Sequence, residues 1–210
     1  MKRISSLGKF SFTLQASILC LSVGIAGMGF SQPADTVIVR QSPGKDKKLV
    51  QATNRAVLVF PESVTGNKGK SEAKALADKI GLKSTGRVLT PQELIVEGDY
   101  DTAKKLVSQS SDAKSSGISV RPLYYLNGIP NEKTEMTLHT RLVVNYQVGV
   151  ALDDRLKLEN TYGLTNPRVL SAEMVSYDTP VASEESAGLA DRIWTENASL
   201  VQFVEPVMSS

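Results

Sequence analysis

The chain has 210 residues, 41% hydrophobic and 22% charged, the composition of an ordinary globular protein. Its formal charge of +2 comes from Lys2, Arg3 and Lys9, in a segment of 31 residues without Asp or Glu; the other 179 residues carry 21 basic and 22 acidic side chains. That balance gives no support to nucleic-acid binding, and a single cysteine, Cys20, excludes a disulfide framework and a cysteine-based metal site.

Positive charge over residues 1–9, an apolar run from Phe10 to Phe30 and small residues at Gly29 and Ser31 form the layout of a signal peptide over residues 1–31. Thr13, Gln15 and Ser17 dilute the run, which is short for a spanning helix. Cleavage near Ser31 is the expectation, with an uncleaved anchor as the alternative. The mature protein is then secreted or held in the periplasm or cell envelope, with no membrane contact after cleavage. Residues 32–54 carry Pro33, Ser42-Pro43-Gly44 and the charges of residues 45–48, and read as a flexible lead-in in which Thr36–Arg40 could be a stray strand.

Two runs then say nearly the same thing. Arg55-Ala-Val-Leu-Val-Phe60 and Arg141-Leu-Val-Val-Asn-Tyr146 are apolar, β-branched and opened by arginine, and each reads as a strand. Gly81-Leu82 is echoed by Gly163-Leu164, Arg87-Val-Leu89 by Arg168-Val-Leu170, and Val120-Arg-Pro122 by Val204-Glu-Pro206. The offsets are 86, 82, 81 and 84, so the chain reads as a duplicated unit whose copies are small domains.

In the first copy, residues 55–126, Pro61 ends the opening strand. Ser71 is the expected N-cap of a helix whose apolar face is Ala73, Leu76, Ala77 and Ile80, with Gly81 as its left-handed end. Arg87–Leu89 and Leu94–Val96 are two short strands around a turn. Asp99 or Asp101 caps a second helix, Ser108–Ser116 frays into a loop, and Ile118–Arg121 closes the unit, running on through Leu126. Residues 127–140 read as a linker, in which Thr137–Thr140 can lengthen the next strand.

The second copy, residues 141–210, repeats the order. Asp153 or Asp154 starts a helix with Leu152, Leu156 and Tyr162 on one side, and Gly163 ends it. Arg168–Leu170 and Met174–Tyr177 are the hairpin. Ser183, Glu184 and Glu185 open a helix carrying Ala187, Ala190, Ile193 and Trp194, and Leu200–Pro206 is the last strand. The order β-α-β-β-α-β, twice, predicts an α+β protein of two tandem ferredoxin-like domains, each a four-stranded antiparallel sheet with two helices on one face.

Chemistry is sparse. Gly66-Asn-Lys-Gly69-Lys70-Ser71 has two residues between its glycines where a phosphate loop has four, and reads as a solvated loop. His139 is the single histidine and has no acid pattern beside it, so no catalytic residue, metal site or cofactor is expected. Tyr124, Tyr125 and Trp194 read as packing residues. The C-terminal stretch Val201–Ser210 reads as a strand running into a free, uncharged tail, able to add to a strand edge of another protein.

The second copy resembles the prodomain of subtilisin-like serine proteases. The resemblance is carried by Arg141–Tyr146, Tyr162-Gly-Leu164, Ala190-Asp-Arg-Ile193 and, above all, Val201-Gln-Phe-Val-Glu-Pro206. The first copy looks like a diverged second example, with Arg121 in the place of Glu205. The resemblance implies the fold inferred above, a sheet that packs on the protease, and a segment after the last strand that lies in its substrate cleft. It makes Glu205 and Pro206 the docking residues, with Glu205 facing helix N-termini of the enzyme, and Val207, Met208, Ser209 and Ser210 the cleft-filling tail. The histidine and serine motifs of the catalytic domain are absent, so the chain is expected to be a non-catalytic monomer that inhibits a subtilisin-like protease or assists its folding. Its alternatives are the pro-region of a truncated or split protease, and an envelope protein-binding module that is not an inhibitor.

Overall fold

The computed structural model describes residues 35–41, 44–61 and 69–210; the expected signal peptide and residues 62–68 of the glycine-containing loop lie outside these. Among the described residues the chain is α+β, with nine strands in one antiparallel sheet and five α-helices. The first strands are β1 (Thr36–Arg40) and β2 (Asp46–Val59), followed by helix α1 (Gly69–Ile80), β3 (Ser84–Thr90) and β4 (Glu93–Glu97). Helices α2 (Tyr100–Gln109) and α3 (Ser111–Ser115) lead to β5 (Ser119–Leu126) and β6 (Glu135–Tyr146). The chain continues through α4 (Leu152–Tyr162), β7 (Thr165–Val169), β8 (Met174–Asp178), a 3-10 turn at Ser183–Glu185, α5 (Ser186–Glu196) and β9 (Val201–Ser209).

The first half has the strand order β3-β4-β2-β5 and the second β7-β8-β6-β9. The registers correspond as well. Ala56 lies opposite Val96 and Pro122, and Leu142 opposite Tyr177 and Pro206. Val88 meets Leu94, and Val169 meets Val175. Period-2 alternation on β2 sends Ala56, Leu58 and Phe60 toward Ala73, Ala77 and Ile80 of α1 and Ala103 and Val107 of α2. On β6 the same alternation sends Leu142, Val144 and Tyr146 toward Leu158 and Tyr162 of α4 and Leu189, Ala190 and Ile193 of α5, with Trp194 packed at the margin. Gly81 and Gly163 end α1 and α4 at φ +86° and +64°, values that glycine reaches without a Cβ penalty.

The halves are continuous. Strand β6 begins at Glu135, inside the stretch expected as a linker, and pairs with β5 through Tyr124–Met136 and Tyr125–Glu135. Residues 127–134 make the connection. A third cluster, Val39, Leu49, Tyr124, Leu138 and Ala187, with Met208 against it, fills the junction, and residues 33–210 form one compact unit.

Several expectations are corrected. The flexible lead-in of residues 32–54 contains β1 and the first half of β2, because Val39 and Leu49 are fully buried in the junction. Ser71 is inside α1, two residues past its start. Ser108–Ser116 is helical, because Ser110 ends α2 and its side chain accepts from the Ala113 N–H to open α3. Of the two candidate caps, Asp99 is the one used; the Thr102 N–H donates to it at 2.8 Å and holds its carboxyl below the usual range. On α4 the buried pair is Leu158 and Tyr162, while Leu152 and Leu156 face solvent. Ser183 opens the 3-10 turn, and α5 begins after it.

Candidate functional site

The C-terminal segment is where sequence and structure differ most. It was expected to be free after Pro206. Instead β9 continues to Ser209, with Met208 opposite Leu138 and Ser209 opposite Thr137 on β6. Pro206 is buried, Val207, Met208 and Ser209 are half-buried, and only Ser210 is exposed. The apolar side chains explain this: Met208 is covered by the junction cluster, which a free tail would leave in water.

Four polar groups tie the strand down. Glu93 of β4 is 2% exposed. Its carboxylate accepts from Arg121 Nη1 of β5 at 2.7 Å and from Ser209 Oγ at 2.6 Å. His139 Nε2 of β6 lies 2.7 Å from Ser209 Oγ and 3.4 Å from Glu93 Oε1. Burial lowers the His139 pKa, and the neighbouring Arg121 lowers it further, against the opposing pull of Glu93. Because the one Ser209 hydroxyl proton goes to Glu93, His139 must donate to Ser209 through a protonated Nε2.

This is a serine, a histidine and an acid drawn from positions 209, 139 and 93, a grouping no local motif announces. It is not arranged for nucleophilic catalysis. A catalytic base needs a free ring nitrogen on the serine and the acid on the other nitrogen. Here the same nitrogen faces both partners, and the serine hydroxyl already donates its hydrogen bond to the carboxylate. The cluster is a tie between the end of β9 and the first half of the molecule.

Glu205, expected to face another protein, points toward its own chain. Lys47 lies close and the Gln41 side chain hydrogen-bonds to it, yet burial dominates and raises its pKa. Arg121, its counterpart in the first half, is the residue held by Glu93. Tyr124 and Tyr125 are buried in the sheet, so neither offers a stacking surface.

A second ionic group lies where the hairpin leaves the sheet. Glu135, 1% exposed, accepts from Arg55 Nη1 at 2.8 Å and lies 2.8 Å from Arg87 Nη2. Arg87 also pairs with Glu132 and donates to its backbone carbonyl at 3.1 Å. Sequence reading missed both groups because the bonded partners in them are 28 to 116 residues apart. Among the described residues there is no group of three or more His, Cys, Asp or Glu side chains that could hold a metal ion, and no helix long and apolar enough to cross a membrane.

The chain matches no protein-family model and no curated protein.

Proposed function

We propose that this chain is a secreted or envelope-held, non-catalytic protein built from two tandem ferredoxin-like copies, similar to the prodomains of subtilisin-like proteases, and that it binds such a protease as an inhibitor or folding partner. The observation that carries the reading is the repeated register: strand order, the Pro122 and Pro206 pairings and the two left-handed glycines all recur at the offsets read from the sequence. Each half has its helices against one face of its sheet; the opposite face of the first half carries a second buried cluster, Ala52, Val57, Ile95, Leu123 and Tyr125, and is covered already. A partner that recognises only the folded protease would also stabilise it during folding.

Titration of the protein lacking residues 1–31 against secreted subtilisin-like proteases tests the reading. Loss of peptidase activity at micromolar concentration or below is the expected result; full activity at that concentration removes the inhibitor reading. Faster recovery of activity from denatured protease tests the folding role separately.

A second reading is favoured by the docked tail: an envelope protein-binding module that uses its sheet or loops and leaves residues 207–210 as structure. Ser209→Ala distinguishes the two. Loosening the strand end strengthens inhibition if the tail must enter a cleft, and leaves it unchanged if binding lies elsewhere.

A further inference from the structure

The connection between β5 and β6 has an unusual combination of properties. Residues 127–133 are all exposed, and Ile129 is 56% exposed near the tip. An exposed loop is ordinarily loosely held, but this one is tied along its length. Asn127 and Gly128 take consecutive left-handed conformations, at φ 55° and 70°. The Asn127 N–H donates to the Lys48 carbonyl at 2.7 Å, and the Ile129 N–H donates to Leu126 at 3.3 Å. The Lys133 N–H donates to the Asn131 side chain at 2.9 Å, and Arg87 grips Glu132 from β3.

The Thr134 hydroxyl completes the brace. It lies 2.5 Å from the Ile129 carbonyl oxygen and accepts from the Asn131 N–H at 3.2 Å, so one side chain spans Pro130 from both sides. Pro130 has no N–H and a fixed φ. The Ile129–Pro130 bond is therefore held on its acyl side and on its amine side by one threonine. A serine protease must polarise the carbonyl it attacks through its own donors. Here the Thr134 hydroxyl faces that carbonyl and the Asn131 carbonyl, 2.8 Å away, with one proton shared between them, and cleavage would leave the two ends braced together.

We propose that this loop, with Ile129 at its tip, is the segment that enters the apolar substrate cleft of the protease partner; the inference rests on the protease-binding reading above. The loop's one large apolar side chain, Ile129, is exposed, and the loop's order is set before binding, which lowers the entropy lost on association. The two strand ends also divide the task. Strand β9 ends tied to Glu93 and His139, whereas β5, its counterpart, runs on into an exposed loop. The tail expected to fill the cleft is occupied, and the loop is not.

The experiment titrates a subtilisin-like protease with the protein lacking residues 1–31 and with its Ile129→Asp and Thr134→Val variants. Ile129→Asp raises the inhibition constant by roughly 30-fold or more, the effect of removing a central anchor. Thr134→Val weakens inhibition about tenfold through lost pre-organisation, and mass spectrometry finds the chain cut between residues 126 and 131. Ile129 is exposed, so an unchanged urea midpoint for Ile129→Asp separates binding from folding. Inhibition by the unsubstituted protein that Ile129→Asp leaves intact overturns the loop and spares the protease reading. No inhibition by the unsubstituted protein overturns the protease reading, and the loop with it.

Discussion

Arg121 and Glu205 hold the same place in the two halves. Arg121 is opposite Val57 on β2, Glu205 is opposite Val143 on β6, and each directly precedes a proline. Their surroundings have diverged. Glu93 supplies a buried carboxylate to Arg121, whereas the corresponding residue of the second half is Met174, opposite Asn145 as Glu93 is opposite Val59. Glu205 is left half-buried near Lys47 and Gln41. A common backbone register has thus been kept while the charges on it were rearranged. The first half's surplus carboxylate oxygen is used to bind Ser209, at the end of the second half's last strand.

The strongest way to break this comparison is to remove Glu93. Glu93→Ala leaves Arg121 without its partner in a largely buried site and costs about 3 kcal/mol, the scale of an uncompensated buried charge. Met174→Ala in the matching position costs about 1 kcal/mol, because that side chain is only partly buried. Urea unfolding measures both, and equal losses would mean that the Glu93 cluster is not what distinguishes the halves.

Ser209→Ala comes next. It removes a hydrogen bond to a buried carboxyl acceptor and costs about 1.5 kcal/mol. Truncation of exposed Ser210 costs almost nothing by the same measurement. If the two changes are equal, the end of β9 is not tied where the structure ties it.

The helix-ending glycines sharpen the comparison further. Gly81→Ala introduces a side chain into left-handed backbone with open space around it and costs about 1 kcal/mol. Gly163→Ala bears the same backbone cost, and its Cβ would also lie 3.3 Å from Pro180 Cγ, so its loss is the larger. Thermal unfolding of the two variants gives the order, and a larger loss at Gly81 would contradict it.

The smallest effects are in pH dependence, and they have opposite signs. The folded pKa of His139 is lowered, so the unfolded chain binds more protons below about pH 6.5, and stability falls as the pH drops through the folded pKa. His139→Gln flattens that slope. The folded pKa of Glu205 is raised, so its contribution is present below the unfolded value near 4.5 and is lost as the pH rises through the folded one. Glu205→Gln removes that loss and makes the protein more stable at neutral pH. Stability curves between pH 4 and 8 for the two variants check both signs.

Much of each half was readable in the chain. The β-branched runs at 55–60 and 141–146, the helix ends at Gly81 and Gly163 and the cap at Asp99 are all local features, and the structure uses each of them. Their constant offsets anticipated the recurring register, because strand alternation and helix ends are set by residues within a few positions of one another. What was not readable depended on partners distant in sequence. The expected free tail became the end of strand β9 because Met208 found a junction built from Val39, Leu49, Tyr124, Leu138 and Ala187, residues of five elements. The end of the expected linker, from Glu135 on, became part of β6 because Tyr124 and Tyr125 offered it an edge.

The amino-acid sequence by itself therefore determined the repeated alternation of strands and helices, the absence of thiol chemistry in the body of the protein and a charge balance near zero, since composition and short-range periodicity suffice for these. Only the tertiary structure decided that the halves share a sheet, that Glu93, His139 and Ser209 meet, and that the C-terminal segment pairs with β6 while the β5–β6 loop stays exposed. Burial and hydrogen bonding act between groups that the fold brings together, and no spacing along the chain encodes a contact across 116 residues.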